Sequence, residues 1–223
     1  MYKCFVKRVL DIVLSGIAIV LLTLPLLIVA IAIKIDDPGP VLFKQRRVGQ
    51  KKNGQITYFM IWKFRSMKMS TPHDVPTHLL ENPQQYITRV GGFIRKTSID
   101  ELPQIYQVFL GKLSVVGPRP ALWSQDDLVA EREKYGANDM KPGITGWAQI
   151  NGRDELEIPV KAKLDGEYTA ALNAGGFKGF AMDVKCLFGT VTSVLRSDGV
   201  VEGGTGAMKQ KKETIADEKV ASK

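Results

Sequence analysis

Two adjacent carboxylates, Asp100 and Glu101, are the residues of this sequence best suited to chemistry. An ionised carboxylate can attack phosphorus and form an acyl phosphate, which makes Asp100 a candidate nucleophile. Glu101 can hold a hard divalent cation, because such ions take oxygen ligands and bridge phosphate oxygens. Arg95 precedes the pair and can bind a phosphate through paired N–H groups. The segment therefore indicates phosphoryl chemistry.

The same residues also have a purely structural interpretation, which the local pattern favours because helix caps are common. Ser98 and Glu101 have the spacing of a capping box. Alternatively, Asp100 is the N-cap and Pro103 lies in the first turn, where its missing N–H does little harm. A helix start would also attract phosphate and favour ionised Asp100. Both interpretations stay open at this point.

A second candidate group is Arg119, which lies between Pro118 and Pro120. The two prolines stiffen the backbone, so the guanidinium could be held rigidly for a phosphate. The alternative is an exposed turn.

The third candidate group is the segment from Lys141 to Arg153, which combines glycines, a Thr hydroxyl, two amides, an aromatic ring and two cations. Amides read base edges, while rings and cations suit the other parts of a nucleotide. Its candidate binding residues are Thr145, Gln149, Asn151 and Arg153. An ordinary hairpin with a turn at Asn151-Gly152 explains the pattern equally well.

Composition narrows the class of protein. The formal charge of +8 indicates an anionic partner: nucleic acid, anionic lipid or a phosphorylated substrate. The only cysteines are Cys4 and Cys186, which excludes a multi-disulfide framework and fits a reducing compartment. Only His73 and His78 join them as soft metal ligands, which argues against structural zinc.

An uncharged apolar run from Ile12 to Ile33 comes before these candidate groups. As one helix it would be roughly 33 Å long, enough to cross a bilayer core. It is too long for a signal peptide, and no small-residue cleavage site follows it. On length alone the run is a plain transmembrane anchor.

Proline and charge argue against a simple span. Pro25 should kink the helix, and the hydroxyl of Thr23 can satisfy a freed backbone group. Cations flank the run on both sides, and positive flanks prefer the cytoplasm. They are Lys3, Lys7 and Arg8 before it, and Lys34, Lys44, Arg46, Arg47, Lys51 and Lys52 after it. We therefore predict a re-entrant helix that leaves on the side it entered.

The remaining pattern predicts an α+β fold. Strands are expected at 41–49 and 56–64, a loop at 70–85, and helices at 101–110, 122–135, 160–172 and 182–195. The predicted division is a re-entrant membrane helix over 1–36, a small membrane-associated α/β catalytic domain with amphipathic surface helices over 37–200, and a disordered tail over 201–223.

With these stretches assembled, the chain resembles the small monotopic phosphoglycosyl transferases of bacteria, from about Lys7 to Gly199. The landmarks occur in the family's order. They are Lys7-Arg8 with Asp11, the Pro-interrupted helix, Phe43 to Arg46, Lys63 to Met67, Asp100 to Gln104, Pro118 to Pro120 and Pro142 to Arg153. The family often has Asn where Gln107 stands and an acidic residue where Lys112 stands.

The resemblance implies roles for particular residues. Asp100 becomes the nucleophile, Glu101 the Mg²⁺ ligand and Arg95 the phosphate anchor. Arg119, Asn151 and Arg153 fall on the nucleotide-phosphate side. Lys63 and Arg65, with Thr145 and Gln149, complete the expected substrate-binding residues.

The resemblance also implies a function. It is transfer of a sugar 1-phosphate from a UDP-sugar to undecaprenyl phosphate, with release of UMP and an aspartyl intermediate. This would be the first membrane step of O-antigen, capsule, exopolysaccharide or glycan assembly, at the cytoplasmic face of the bacterial inner membrane. The expected partners are both substrates and membrane phospholipids, with a homodimer left open and no nucleic acid. Two rivals are a membrane-tethered basic module that binds nucleic acid or anionic lipid, and an anchored scaffold domain.

Overall fold

A computed structural model describes residues 2–71, 83–152 and 156–195. It confirms a mixed fold of helices and short strands. The helices are α1 (Lys7–Asp36), α2 (Arg89–Lys96), α3 (Gln104–Phe109), α4 (Asp126–Glu133), α5 (Trp147–Ile150), α6 (Ile158–Ala174) and α7 (Gly176–Leu195). The strands are β1 (Leu42–Lys52), β2 (Gln55–Phe64), β3 (Ser114–Val116) and β4 (Gly143–Thr145).

The first two strands, both predicted from their sequence pattern, form an antiparallel hairpin. Its turn is Asn53-Gly54, where both residues have positive φ angles of 50° and 78°. Asn and Gly tolerate this conformation, which matches the twist of the strands. The register pairs Phe43 with Lys63, so β2 delivers Lys63 on a defined face of the hairpin.

Helix α1 is α-helical on both sides of Pro25. The hydroxyl of Thr23 donates to the carbonyl of Ile19 at 2.6 Å. The carbonyl that Pro25 leaves without its usual donor is that of Leu21, four residues back. Thr23 therefore does not supply the predicted compensation, and the kink itself stays a prediction.

The N-terminal end of α1 is fixed to the domain by a buried polar cluster around Asp183 of α7. Its carboxylate accepts hydrogen bonds from the Tyr2 hydroxyl at 2.6 Å, the Lys7 ammonium at 2.7 Å and the Tyr168 hydroxyl at 2.8 Å. We call these four residues the Asp183 cluster. Lys7, one of the cations that flank the apolar run, therefore also stabilises the packing of α1 against α7.

The C-terminal end of α1 packs on the same domain. Leu26 and Ile33 are buried against Phe64, Ile94 and Ile105. The carboxylate of Asp36 accepts the backbone N–H of Val90 at 2.8 Å, near the start of α2. The last turn of α1 therefore orients α2, the helix that carries Arg95.

Strands β3 and β4 form a parallel pair, with Ser114 opposite Gly143 and Val116 opposite Thr145. The residues before Asn151-Gly152, Trp147–Ile150, form helix α5 and no strand, so the hairpin interpretation of segment 141–153 is wrong. Gly117 lies so close to this segment that an added Cβ would collide with the carbonyl oxygen of Lys141. Glycine is required there because two backbones touch.

Several element boundaries differ from the prediction. Helix α2 was not predicted, because its apolar residues are too few to show a helical period. Helix α4 covers only Asp126–Glu133, and α7 begins at Gly176. The tail over 201–223 and most of the predicted loop at 70–85 lie outside the described residues, so the domain division stays a prediction.

Candidate active site

The carboxylate pair lies in a single 3₁₀ turn, Ile99–Glu101, just before α3. Ser98 has a left-handed conformation with φ 57° and makes no capping hydrogen bond with its side chain. Helix α3 begins only at Gln104, with Pro103 at its cap position. Both predicted caps are therefore wrong, because the left-handed residue makes the chain turn before the helix starts.

Glu101 is bound by two cations from different parts of the chain. The Lys63 ammonium of β2 lies 2.8 Å from its Oε1 atom, and Nη2 of Arg119 lies 2.8 Å from the same oxygen. Burial opposes ionisation, but Arg119 and Lys63 outweigh it and lower the pKa of Glu101 well below its usual range. Glu101 is therefore an anion that holds both cations in place.

Asp100 differs from its neighbour in environment. It is 9% exposed. Burial raises the pKa of Asp100 to about 6, and the Glu101 anion adds to the rise, although Lys63, Arg95 and Arg119 oppose it. Within the described residues, no side chain forms a hydrogen bond or ion pair with this carboxylate. The expectation that the helix start favours its ionised form is wrong, because burial dominates.

Arg95 lies in the last turn of α2 and is near enough to interact electrostatically with Asp100. Burial lowers the pKa of its guanidinium, and the charge of Asp100 opposes that change. The structure thus brings Arg95, Lys63 and Arg119, which come from three separate segments, together around the two carboxylates.

The backbone that carries Arg119 is held from several sides. Its carbonyl accepts from Nη2 of Arg132 at 3.0 Å, and the carbonyl of Pro120 accepts from Arg47 at 3.2 Å. Arg132 is itself paired with buried Asp165, 2.8 Å from Nε to Oδ2. The rigidity predicted from the two prolines is therefore reinforced by hydrogen bonds from the buried Arg132 and the partly buried Arg47.

The third candidate group is joined to Arg119 through the backbone. The N–H of Gly117 donates to the carbonyl of Thr145 at 2.7 Å, and that of Gly143 donates to Pro118 at 3.0 Å. The polar side chains of this segment form hydrogen bonds within the protein. The hydroxyl of Thr145 is bonded to that of Thr190, and the amides of Gln149 and Asn151 donate to the carbonyls of Ile144 and Trp147. Their roles in substrate binding stay predictions, and Arg153 lies outside the described residues.

A family model described as bacterial sugar transferase matches residues 2–197. The chain belongs to the bacterial sugar transferase family. It is 39% identical over 198 residues to the UDP-glucose:undecaprenyl-phosphate glucose-1-phosphate transferase of Escherichia coli K12, covering 83% of this chain and 39% of that protein. It is 40% identical over 199 residues to the exopolysaccharide production protein PSS of Rhizobium leguminosarum bv. phaseoli, covering 85% of this chain and 94% of that protein.

A third relative within the family is the UDP-N-acetylgalactosamine-undecaprenyl-phosphate N-acetylgalactosaminephosphotransferase of Aeromonas hydrophila. It is 36% identical over 204 residues, covering 87% of this chain and 45% of the relative. The chain thus spans about two-fifths of the length of the Escherichia coli relative and nearly all of the Rhizobium one. The resemblance to bacterial sugar transferases is confirmed.

Arg65 of this sugar transferase lies apart from the site residues. Its guanidinium binds the carboxylate and carbonyl of Asp37 and donates to the carbonyl of Pro40 at 2.7 Å. It joins β2 to the turn after α1, and its role in substrate binding stays a prediction.

No sequence pattern indicated the buried pair of Arg132 and Asp165, because their pairing depends on the packing of α4 against α6.

The predicted Mg²⁺ can be compared with the ligands that the site offers. The described residues hold no group of three or more His, Cys, Asp or Glu side chains that could bind a metal. Mg²⁺ commonly takes one or two carboxylates and completes its shell with water and substrate phosphates. Glu101, which is ionised, fits that pattern and is the residue that would hold the ion.

The raised pKa of Asp100 predicts an acid limit for a nucleophilic role of this carboxylate. Nucleophilic attack needs the ionised carboxylate, so covalent capture of donor should fall as pH drops through about 6. Lys63→Met should move this limit to higher pH, because the ammonium lowers the pKa of Asp100. Single-turnover release of UMP measured against pH tests both. A limit near the ordinary value for aspartate, unmoved by Lys63→Met, would contradict the assignment.

Proposed function

We propose that this chain transfers a sugar 1-phosphate from a UDP-sugar to a polyprenyl phosphate, such as undecaprenyl phosphate, with release of UMP. The observation that carries the proposal is the contrast within the carboxylate pair. Glu101 is ionised and bound to two cations, whereas Asp100 is buried beside them and forms no ion pair with any of the residues that the structure describes. A carboxylate left uncommitted among three cations is suited to attack an anionic phosphate, because the cations offset the repulsion between charges.

The reaction proceeds in two displacements. An oxygen of Asp100 forms a bond to the β-phosphorus of the UDP-sugar, and the bond from that phosphorus to the bridging oxygen breaks, so UMP leaves. An oxygen of the polyprenyl phosphate then attacks the same phosphorus, and the bond to Asp100 breaks. The product is a polyprenyl diphosphate sugar, and Asp100 is regenerated.

The surrounding side chains supply binding and charge stabilisation. Arg95 neutralises Asp100 and binds the phosphate that it attacks. Lys63 and Arg119 lie on the Glu101 side, where they stabilise the charge that develops on the leaving nucleotide phosphate. Glu101 would hold Mg²⁺, which would supply positive charge near the diphosphate oxygens.

Release of UMP is the direct test of the activity. Detergent-extracted full-length protein is incubated with undecaprenyl phosphate and a panel of UDP-hexoses, including glucose and N-acetylgalactosamine, the sugars in the relatives' names. We expect UMP from at least one donor, with sustained release only when both lipid and Mg²⁺ are present. UMP release with none of the donors, or release indifferent to EDTA, would contradict the proposal.

The rival basic binding module explains less of the structure. Exposed cations such as Lys44 and Arg46 are consistent with such a module. It does not explain why Asp100 is buried close to Lys63, Arg95 and Arg119. The glycoconjugate pathway, an inner-membrane location, a homodimer and the exclusion of nucleic acid stay predictions.

We further propose that α1 enters and leaves the cytoplasmic leaflet. It is the one helix, among those described, long and apolar enough to cross a membrane. Its first residue contacts α7 and its last contacts α2, while Leu26 and Ile33 between them pack on the same domain. A helix that ended on opposite sides of a bilayer could not keep both sets of contacts.

Exposed apolar side chains outside α1 support a location at the membrane surface. They include Phe93 on α2, Leu110 after α3, and Phe177, Phe180 and Phe188 on α7. Large apolar groups on otherwise polar helices favour the interface between head groups and acyl chains.

Cysteine accessibility in intact cells tests this topology. Single cysteines are placed at Lys3 and Lys52 in a variant whose native Cys4 and Cys186 are replaced. We expect both new cysteines to be protected from a membrane-impermeant maleimide until the inner membrane is opened. Labelling of one and not the other in intact spheroplasts would show that α1 spans the bilayer.

A further inference from the structure

The outer edge of β2 is occupied by a side chain instead of a strand. In the described part of the chain, β2 pairs only with β1, so its other edge has no strand partner. There Gln107 of α3 donates from Nε2 to the carbonyl of Met60 at 2.7 Å and accepts the N–H of Trp62 at Oε1, at 2.8 Å. One amide thus replaces the two hydrogen bonds that a neighbouring strand would make.

The orientation of this amide is fixed by chemistry. A backbone carbonyl can only accept and a backbone N–H can only donate, so the oxygen and nitrogen of Gln107 cannot be interchanged. The side chain is 3% exposed, so water does not compete for these bonds. Gln107 is therefore a specific connection between α3 and β2.

The connection joins the two elements that must meet in the site. Lys63 follows Trp62 directly, and its ammonium reaches Glu101. Glu101 in turn lies in the turn that leads into α3. Because α3 has only six residues, its own hydrogen bonds give it little stability, and its place depends on contacts such as this one.

We infer that Gln107 is a positioning residue of the transfer reaction, which sets the place of Lys63 relative to Glu101 and the donor diphosphate by holding β2 against α3. The inference rests on the proposed function, since it assumes that Lys63 acts on the nucleotide phosphates. Gln107 does not touch the reacting atoms and acts through the strand.

A double-mutant cycle separates positioning from general stability. UDP binding is measured by calorimetry, and UMP release by initial rate, for full-length Gln107→Met, Lys63→Met and the double variant. If Gln107 acts through Lys63, Gln107→Met in the native background should weaken UDP binding and lower turnover about tenfold. The same substitution in the Lys63→Met background should change each quantity less than about twofold. Gln107→Asn, one methylene shorter, should give values between those of the native protein and Gln107→Met.

Asn138→Leu is the matched control. Asn138 is also a buried amide with two hydrogen bonds, to Val129 and Glu133, but it contacts neither β2 nor the carboxylate pair. Any loss it causes should multiply with that of Lys63→Met. If the losses for Gln107 and Lys63 also multiply, or if Gln107→Met changes nothing, the positioning inference is overturned while the proposed function stands. If Lys63→Met itself changes neither measurement, the proposed use of Lys63 fails first.

Discussion

Asp100→Asn should abolish both turnover and covalent capture of the donor, with a loss of about 10³-fold or more in the rate of UMP release. Asparagine has nearly the same shape, so the buried turn can keep its conformation. Its amide, however, has no negative charge and is a poor nucleophile towards phosphorus. Mass spectrometry of protein trapped with donor, in the absence of lipid acceptor, should show a sugar phosphate on Asp100 of the native chain and none on the variant.

Asp126→Asn is the matched control, since Asp126 is an exposed acid in the first turn of α4. It should retain native turnover and native capture. UDP binding by Asp100→Asn, measured by calorimetry, should remain within a few-fold of the native value, which would separate lost chemistry from lost folding. Substantial activity in Asp100→Asn, or a sugar phosphate found on another residue, would reject the aspartyl mechanism.

Asp183→Ala should have the largest effect on stability, a loss of about 3–5 kcal/mol in the free energy of unfolding. The carboxylate is the acceptor for Tyr2, Lys7 and Tyr168, and its side chain is only 9% exposed. Its removal leaves the Lys7 ammonium buried without its counter-ion and the Tyr2 hydroxyl without its acceptor, while the Tyr168 hydroxyl keeps only the carbonyl of Val116 at 3.0 Å. Thermal unfolding in detergent, followed by circular dichroism, measures the change.

A second substitution tests the cause of that loss. Lys7→Met introduced beside Asp183→Ala removes the unpaired charge and should recover part of the lost stability, because an apolar chain of similar length suits the buried site better than an uncompensated ion. If the double variant is less stable than Asp183→Ala alone, the attraction between Lys7 and Asp183 does not account for the loss.

Short-range sequence features determined much of the chemistry. The pair Asp100-Glu101, the cation at Arg95 and the prolines around Arg119 indicate phosphate chemistry from residue types alone. The hairpin of β1 and β2 follows from alternation and from Asn53-Gly54, because those two residues accept positive φ angles that other residues resist. The uncharged run and its cationic flanks similarly indicate a membrane helix with both ends on one side.

Only the tertiary structure decided how the two carboxylates differ. In sequence they are neighbours with the same functional group, yet one is ionised by Lys63 and Arg119 and the other is buried with a raised pKa. Lys63 and Arg119 are 38 and 18 residues from Glu101 in sequence, so no local sequence pattern could predict these contacts. Burial and charge pairing are long-range quantities, so the protonation state of a carboxylate depends on the folded surroundings that the rest of the chain provides.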